Sequence, residues 1–209
     1  MPTIVAKALP WLRLDRRRIY AVGGSMGGQE TLLLLARHPG LLAGAAAFDS
    51  VTDLSRQYNA FPRLGCDSSC REKWGGPLGK TLQALARREI GGSPWSRPKA
   101  YAERSPTTFV RAIAASCVPL ELWWSVNDRI VLDQRQQTGA FYERLLKLNP
   151  QAPVDGFWGF WSHSAEMRAD RRLPAALAAF GLVRPVGRRQ YRGLHFLPAA
   201  SFARGCTKR

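Results

Sequence analysis

The stretch IYAVGGSMGGQETLLLLARHP, residues 19–39, constrains the fold more than any other part of the chain. Residues 19–23 are a compact apolar run that predicts a strand. Residues 26–37 carry apolar positions at a helical period and stop at His38-Pro39-Gly40. Pro39 restricts the residue before it, and Gly40 tolerates left-handed angles. The next segment, LLAGAAAFD at 41–49, predicts a second buried strand. A strand, a helix and a strand within thirty residues make a parallel α/β unit.

Ser25 sits at the corner of that unit, inside Gly23-Gly24-Ser25-Met26-Gly27. A serine hydroxyl becomes a useful nucleophile only when a base removes its proton. A tight strand-to-helix turn lifts it clear of the sheet, and such a turn crowds backbone against backbone. Gly23 and Gly27 are expected to relieve that crowding. The helix beginning near Met26 aims N–H groups at the place where negative charge develops, so Met26 N–H is the expected oxyanion donor. A plain glycine-rich turn is the bland alternative. A phosphate-cradling loop would want Lys-Ser or Lys-Thr on the helix, and Gln29-Glu30-Thr31 stands there.

The base must be one of three histidines. His38 ends the helix that Ser25 begins, about 18 Å away at the helical rise, and suits the helix dipole instead. His195 lies in the basic tail, outside the expected α/β elements. His163, in GFWGFWSHS, stands on a loop just before the final helix. The carboxylate should follow a strand between Ser25 and His163. Asp128 in LELWWSVNDRIV does so, and would fix the tautomer of the histidine. Asp133 is the local alternative, though it resembles a helix N-terminal residue. Asp49 also follows a strand, but early in the order.

The rest of the chain supports one domain over residues 1–181. Residues 3–13 predict a short amphipathic helix. Residues 50–104 predict one helix at 77–89 within a long connection. A helix over 106–115, a strand over 119–126, a helix over 132–148, a strand within 154–161 and a last helix over 164–181 follow. Residues 182–209 form a basic tail, read as disordered or as an added extension.

The formal charge is +16, and the tail from 181 onward holds seven Arg or Lys with no Asp or Glu. Such charge invites a nucleic-acid reading. No zinc-finger or RNP-like pattern accompanies it, so nucleic acid is an unlikely partner. The four cysteines do not form a zinc pattern, although Cys66 and Cys70 flank a short turn that a local disulfide would close. No metal or cofactor is expected. No segment has the apolar length of a membrane span. The amino end has no signal-peptide pattern, which makes a cytoplasmic location the default and a secreted one the alternative if a longer start exists.

The chain resembles the α/β-hydrolase superfamily, most of all prolyl-oligopeptidase-type catalytic domains and their esterase-like relatives. The resemblance covers roughly residues 15–180. It rests on DRRRIYAVGGSMGGQETLLLLARHPGLLAGAAAFDSVTDL, on Ser105-Pro106 after Ala100-Tyr101, on VPLELWWSVNDRIV and on FWSHSAE. It implies a mostly parallel sheet flanked by helices, with Ser25 as nucleophile, Asp128 as acid and His163 as base. It also implies a small-molecule ester or peptide as substrate.

This chain departs from that pattern at its amino end. The strands that normally precede the nucleophile are missing, and with them the loop that supplies the second oxyanion donor. The fold is therefore expected to be partial, as a fragment, as a domain completed by another chain, as an inactive relative, or with strands supplied from beyond 181. Residues 19–22 would then form an exposed apolar edge that favours self-association. Trp158, Trp161 and Tyr58 are candidates for a substrate pocket, and Tyr58, Phe61 and Trp74 for a cap. The functional expectation is a serine hydrolase working through an acyl-enzyme. The competing readings are a catalytically impaired binding protein and, remotely, a basic nucleic-acid binder.

Overall fold

A computed structural model describes residues 7, 11, 15, 17–65, 68, 71–72, 77–163, 172–182, 195–197 and 206. Within them a single sheet runs in the order β1 (Tyr20–Gly24), β2 (Gly44–Phe48), β3 (Leu120–Ser125), β4 (Val154–Gly159), β5 (His195–Leu197). The first four strands are parallel, and β5 lies antiparallel to β4. The α/β class with a largely parallel sheet is therefore present.

Strand order equals chain order, so every crossover moves the same way across the sheet. Right-handed crossovers then put their helices on one face. That face carries α1 (Met26–Arg37), α5 (Val110–Ala115) and α6 (Ala140–Leu148). Leu32 and Leu35 of α1, Val110 and Ile113 of α5, and Phe141 and Leu145 of α6 bury there against Leu120, Leu122 and Trp124. Each large apolar side chain so buried contributes about 1.5–3 kcal/mol. The opposite face holds Ala46, Phe48 and Trp123, covered by Ala176 of α7 (Arg172–Ala179). Trp123 stacks on Phe157 at 4.0 Å between centroids.

The connection between β2 and β3 is more structured than its composition predicts. It contains α2 (Leu54–Ala60) and α4 (Pro98–Glu103) besides the expected α3 (Leu78–Ile90). Asp53 caps α2 by accepting the Arg56 N–H at 2.9 Å. Tyr58, Phe61, Leu64 and Tyr101 form a separate small core there. Both extra helices are short and rich in polar residues, so no apolar period betrays them. The helix expected over 132–148 starts as a π-type turn at Arg135–Gly139 before α6.

Past residue 181 one expectation is corrected, that His195 lies outside the α/β elements. His195 lies in β5, inside the sheet, and its ring stacks on Trp158 at 3.8 Å. Cys206 forms a disulfide with Cys117, just ahead of β3. Strand pairing and a covalent bridge thus tie these points to the domain. One of the four readings of the partial fold has strands supplied from beyond 181 in place of the missing ones; β5 comes from there, but it lies beside β4, at the opposite edge from β1. Among the described residues β1 pairs only with β2, so its outer edge carries no strand. The helix expected over 3–13, the proposed Cys66–Cys70 pair and Trp74 lie outside the described residues. Among the described residues no helix is long and apolar enough to cross a membrane.

Candidate active site

β1 ends at Gly24 and α1 begins at Met26, so Ser25 alone turns the chain. Its backbone adopts φ 57° and ψ −122°, a conformation costly to a residue with a side chain. Two bonds hold it there. Ser25 N–H donates to Phe48 O at 2.8 Å, and Gln29 N–H donates to Ser25 O at 3.1 Å. A Cβ on Gly23 would collide with the Gly27 carbonyl, so Gly23 does relieve the crowding. Gly27 does not, since a Cβ there meets nothing within 4 Å. Gly28 is the second close-packed glycine, because a Cβ there would strike the Ser50 hydroxyl. The sequence pattern marks the corner correctly but assigns one of its glycines to the wrong task.

Met26 is the first residue of α1 and its side chain is exposed. The N–H groups of a first helical turn have no partner within their own helix, so the Met26 N–H suits the stabilisation of an anion beside Ser25. Gln29 is buried and donates to the Arg104 carbonyl at 2.5 Å. The helix start is thereby fastened to the segment before α5.

Asp128 lies three residues beyond β3. Its Oδ1 accepts the N–H groups of Ile130 at 2.8 Å and Val131 at 3.0 Å. Its Oδ2 stands 2.8 Å from His163 Nδ1. The Asp128 carboxylate is fully buried, whereas the imidazole is 17% exposed. The two loop amides orient the carboxylate, which then orients the ring. With Nδ1–H given to Asp128, Nε2 is the basic nitrogen. Buried Gln137 and Gln57, bonded to each other at 3.1 Å, tie the loop after Asp128 to the start of the connection that follows β2. Gln137 accepts from Thr52 and Asp53 N–H at 3.2 Å, and Gln57 donates to the Ile130 carbonyl at 2.8 Å.

Asp133 pairs with Arg63. His38 is exposed at the end of α1. Tyr58 is buried in the small core, edge-on to Tyr101. Trp158 stacks on His195 and meets Phe160 edge-on, and Trp161 is buried. A cavity of about 390 Å³ opens beside His163, lined by Asn127, Arg129, Ile130 and Ser162. Sequence reasoning does not single out those four residues, whose only signal is proximity to Asp128 and His163 in the chain.

Asp49 comes early in the chain order, yet its carboxylate lies beside Asp128 and His163. Asp49, Asp128 and His163 present atoms within 4.8 Å of one another. Such a spacing could suit a metal ion. Here, however, both Asp49 oxygens accept N–H groups, and the Asp128 oxygens are engaged by loop amides and by the imidazole. A cation would have to displace those donors.

No protein-family model matches the chain, and no curated protein matches it. Solved structures do. A puromycin-hydrolyzing peptidase of Mycobacterium tuberculosis superposes with a TM-score of 0.59 at 21% identity, over 92% of this chain and 26% of that one. The acylaminoacyl peptidase of Pyrococcus horikoshii gives 0.56 at 18% identity, over 87% and 25%. A Pyrococcus furiosus esterase gives 0.52 at 16% identity, over 86% and 57%. The chain thus spans about a quarter of the length of the two peptidases. At these identities the likeness is one of fold, and what the chain has in common with them is part of the α/β-hydrolase fold.

Proposed function

We propose that the chain carries the reacting residues of a serine hydrolase that cleaves an ester or peptide bond through an acyl-enzyme. The observation that carries this reading is the part-buried Asp128–His163 hydrogen bond, beyond the carboxyl ends of β3 and β4, which run parallel in one sheet with β1, the strand that leads into Ser25. His163 Nε2 takes the proton of the Ser25 hydroxyl as Oγ attacks the carbonyl carbon. The oxyanion forms beside Met26 N–H. The imidazolium, stabilised by Asp128, then gives its proton to the leaving alcohol or amine. Water, deprotonated by the same imidazole, cleaves the Ser25 ester and restores the hydroxyl.

The fold likeness extends to both peptidases and an esterase, so substrate choice rests on the cavity beside His163 and not on the fold. Trp158, Trp161 and Tyr58 remain candidates for a substrate pocket. Fluorophosphonate labelling tests the reading. Modification of the wild-type chain that disappears in Ser25→Ala supports it. A folded wild-type chain that resists the probe overturns it.

A second reading rests on the outer edge of β1, which carries no strand among the described residues. In this reading the chain binds through that edge, to a second copy or to another segment that completes the sheet, and its catalytic power is impaired without that partner. Light scattering over a range of concentrations checks it. A strict monomer that reacts fully with the probe excludes this reading.

A further inference from the structure

Asp49 follows β2, and its carboxylate is completely buried. It takes no direct part in the acyl transfer proposed above. Its Oδ1 accepts Ser125 N–H, at the end of β3, at 2.7 Å. Its Oδ2 accepts the indole Nε1–H of Trp161 at 3.0 Å. Trp161 follows β4, and β3 separates β4 from β2. The indole therefore reaches back across an intervening strand, towards the β1 side of the sheet.

That direction matters, because Ser25 lies at the end of β1. Strands β1 and β4 are three positions apart, about 14 Å at the usual strand spacing. A histidine on a loop leaving β4 must be brought back across the sheet to approach Ser25. His163 stands two residues past Trp161, and the Asp49–Trp161 bond lies where that return begins. Ser125 supplies a second fastening. Its hydroxyl donates to Trp161 O at 2.6 Å and accepts Trp161 N–H at 2.9 Å and Asn127 N–H at 3.1 Å. The residue before Asp49, Phe48, accepts the Ser25 N–H. One dipeptide step, Phe48-Asp49, thus holds the main chain of the elbow serine and the loop of the histidine.

We infer that Asp49 is a positioning residue whose buried carboxylate, through Trp161 and Ser125, holds the His163 loop over the sheet towards Ser25. The inference rests on reading Ser25, Asp128 and His163 as the reacting set. The residue type follows from the geometry. Two N–H donors, one from the end of β3 and one from the loop after β4, approach two oxygens, and only a carboxylate accepts at both. An amide accepts at one and opposes the other donor with its own NH₂. Asp49 also tolerates its left-handed φ of 43° better than most residues.

The test uses the full chain with Asp49→Asn, read in two ways. The first is the downfield proton resonance of His163 Nδ1–H in its bond to Asp128, which needs no turnover. The second is the rate of fluorophosphonate labelling at Ser25. We expect the resonance to vanish or move and labelling to slow about 10- to 100-fold, the scale of a misplacement near 1 Å. A folded Asn variant that keeps the resonance and labels within twofold of wild type overturns the inference. Should Asp49→Asn fail to fold, Trp161→Phe retains the carboxylate and most of the aromatic bulk, and the same two outcomes decide. If the wild-type chain is not labelled at all, the hydrolase reading fails on its own. The resonance then still supports or overturns the role of Asp49 in holding the histidine.

Discussion

The indole N–H of Trp123 donates to Glu121 Oε2 at 2.8 Å, inside the middle of the sheet. Glu121 is 1% exposed and stands opposite Asp155 on β4. Burial pushes its carboxyl up to about 7; the Trp123 bond opposes that rise and the nearby Asp155 adds to it. Far from the reacting end of the strands, the sheet therefore contains an acid that prefers to keep its proton.

The sign of the pH effect follows from that preference. Below 4.5 both the folded and unfolded chains hold the proton, and Glu121 costs nothing. Between 4.5 and about 7 only the folded chain holds it, so stability falls as pH rises. The full loss, about 3 kcal/mol, is reached above the folded value. Glu121→Gln keeps an acceptor for Trp123 and cannot ionise. It should match wild type near pH 4.5 and exceed it by about 1–3 kcal/mol at pH 8 in urea unfolding. Parallel pH profiles for the two proteins would refute this assignment.

The Cys117–Cys206 bridge closes a separation of 89 residues. Chain-entropy arguments give a loop of that size about 4–5 kcal/mol of stabilisation. Cys206→Ser should lower the urea midpoint markedly, and Cys117→Ser should do the same. An unchanged midpoint in Cys206→Ser would show that the bridge constrains little. Such bridges persist in oxidising surroundings, which bears on where the chain works.

The two glycines flanking Ser25 should respond in opposite senses. Gly23→Ala forces a methyl group onto the Gly27 backbone and should cost about 1–3 kcal/mol or more. Gly27→Ala points into open space within α1 and should be neutral or stabilising by about 0.5–1 kcal/mol. Thermal unfolding of both variants checks the pair. Equal losses would mean that the two positions are equally crowded, against the close approach of Gly23 to the Gly27 carbonyl.

Asp128→Asn retains the shape of the side chain but not its charge, and favours the wrong imidazole tautomer. Labelling at Ser25 should slow by about 10³- to 10⁴-fold, with the fold intact by circular dichroism. A loss below tenfold would remove Asp128 from the role of orienting acid.

Much of this is legible in the sequence because the relevant signals are local. The run Ile19–Pro39 contains its own strand, corner, helix and stop, and the structure keeps all four. Asp128 and His163 each follow an apolar strand, and chain order suffices to pair them. What escapes is non-local or short. Asp49 acts on Ser125 and Trp161, which lie 76 and 112 residues away, and nothing in its neighbourhood announces them. Helices α2 and α4 span only seven and six residues, too few to display a period. His195 joins the sheet within a three-residue strand surrounded by arginines and glycines, a context that reads as tail. Gly27 and Gly28 are adjacent and identical in type, and only packing against Ser50 separates their roles.

The agreement between strand order and chain order also bears on how the molecule comes into being. Of the described strands β1 emerges first from the ribosome, and each later parallel strand meets as its neighbour the strand made just before it. None of the described strands has to be inserted between two that have already paired. Assembly can therefore keep pace with synthesis. Only the antiparallel β5 and the Cys206 bridge wait until the residues that form them have been made.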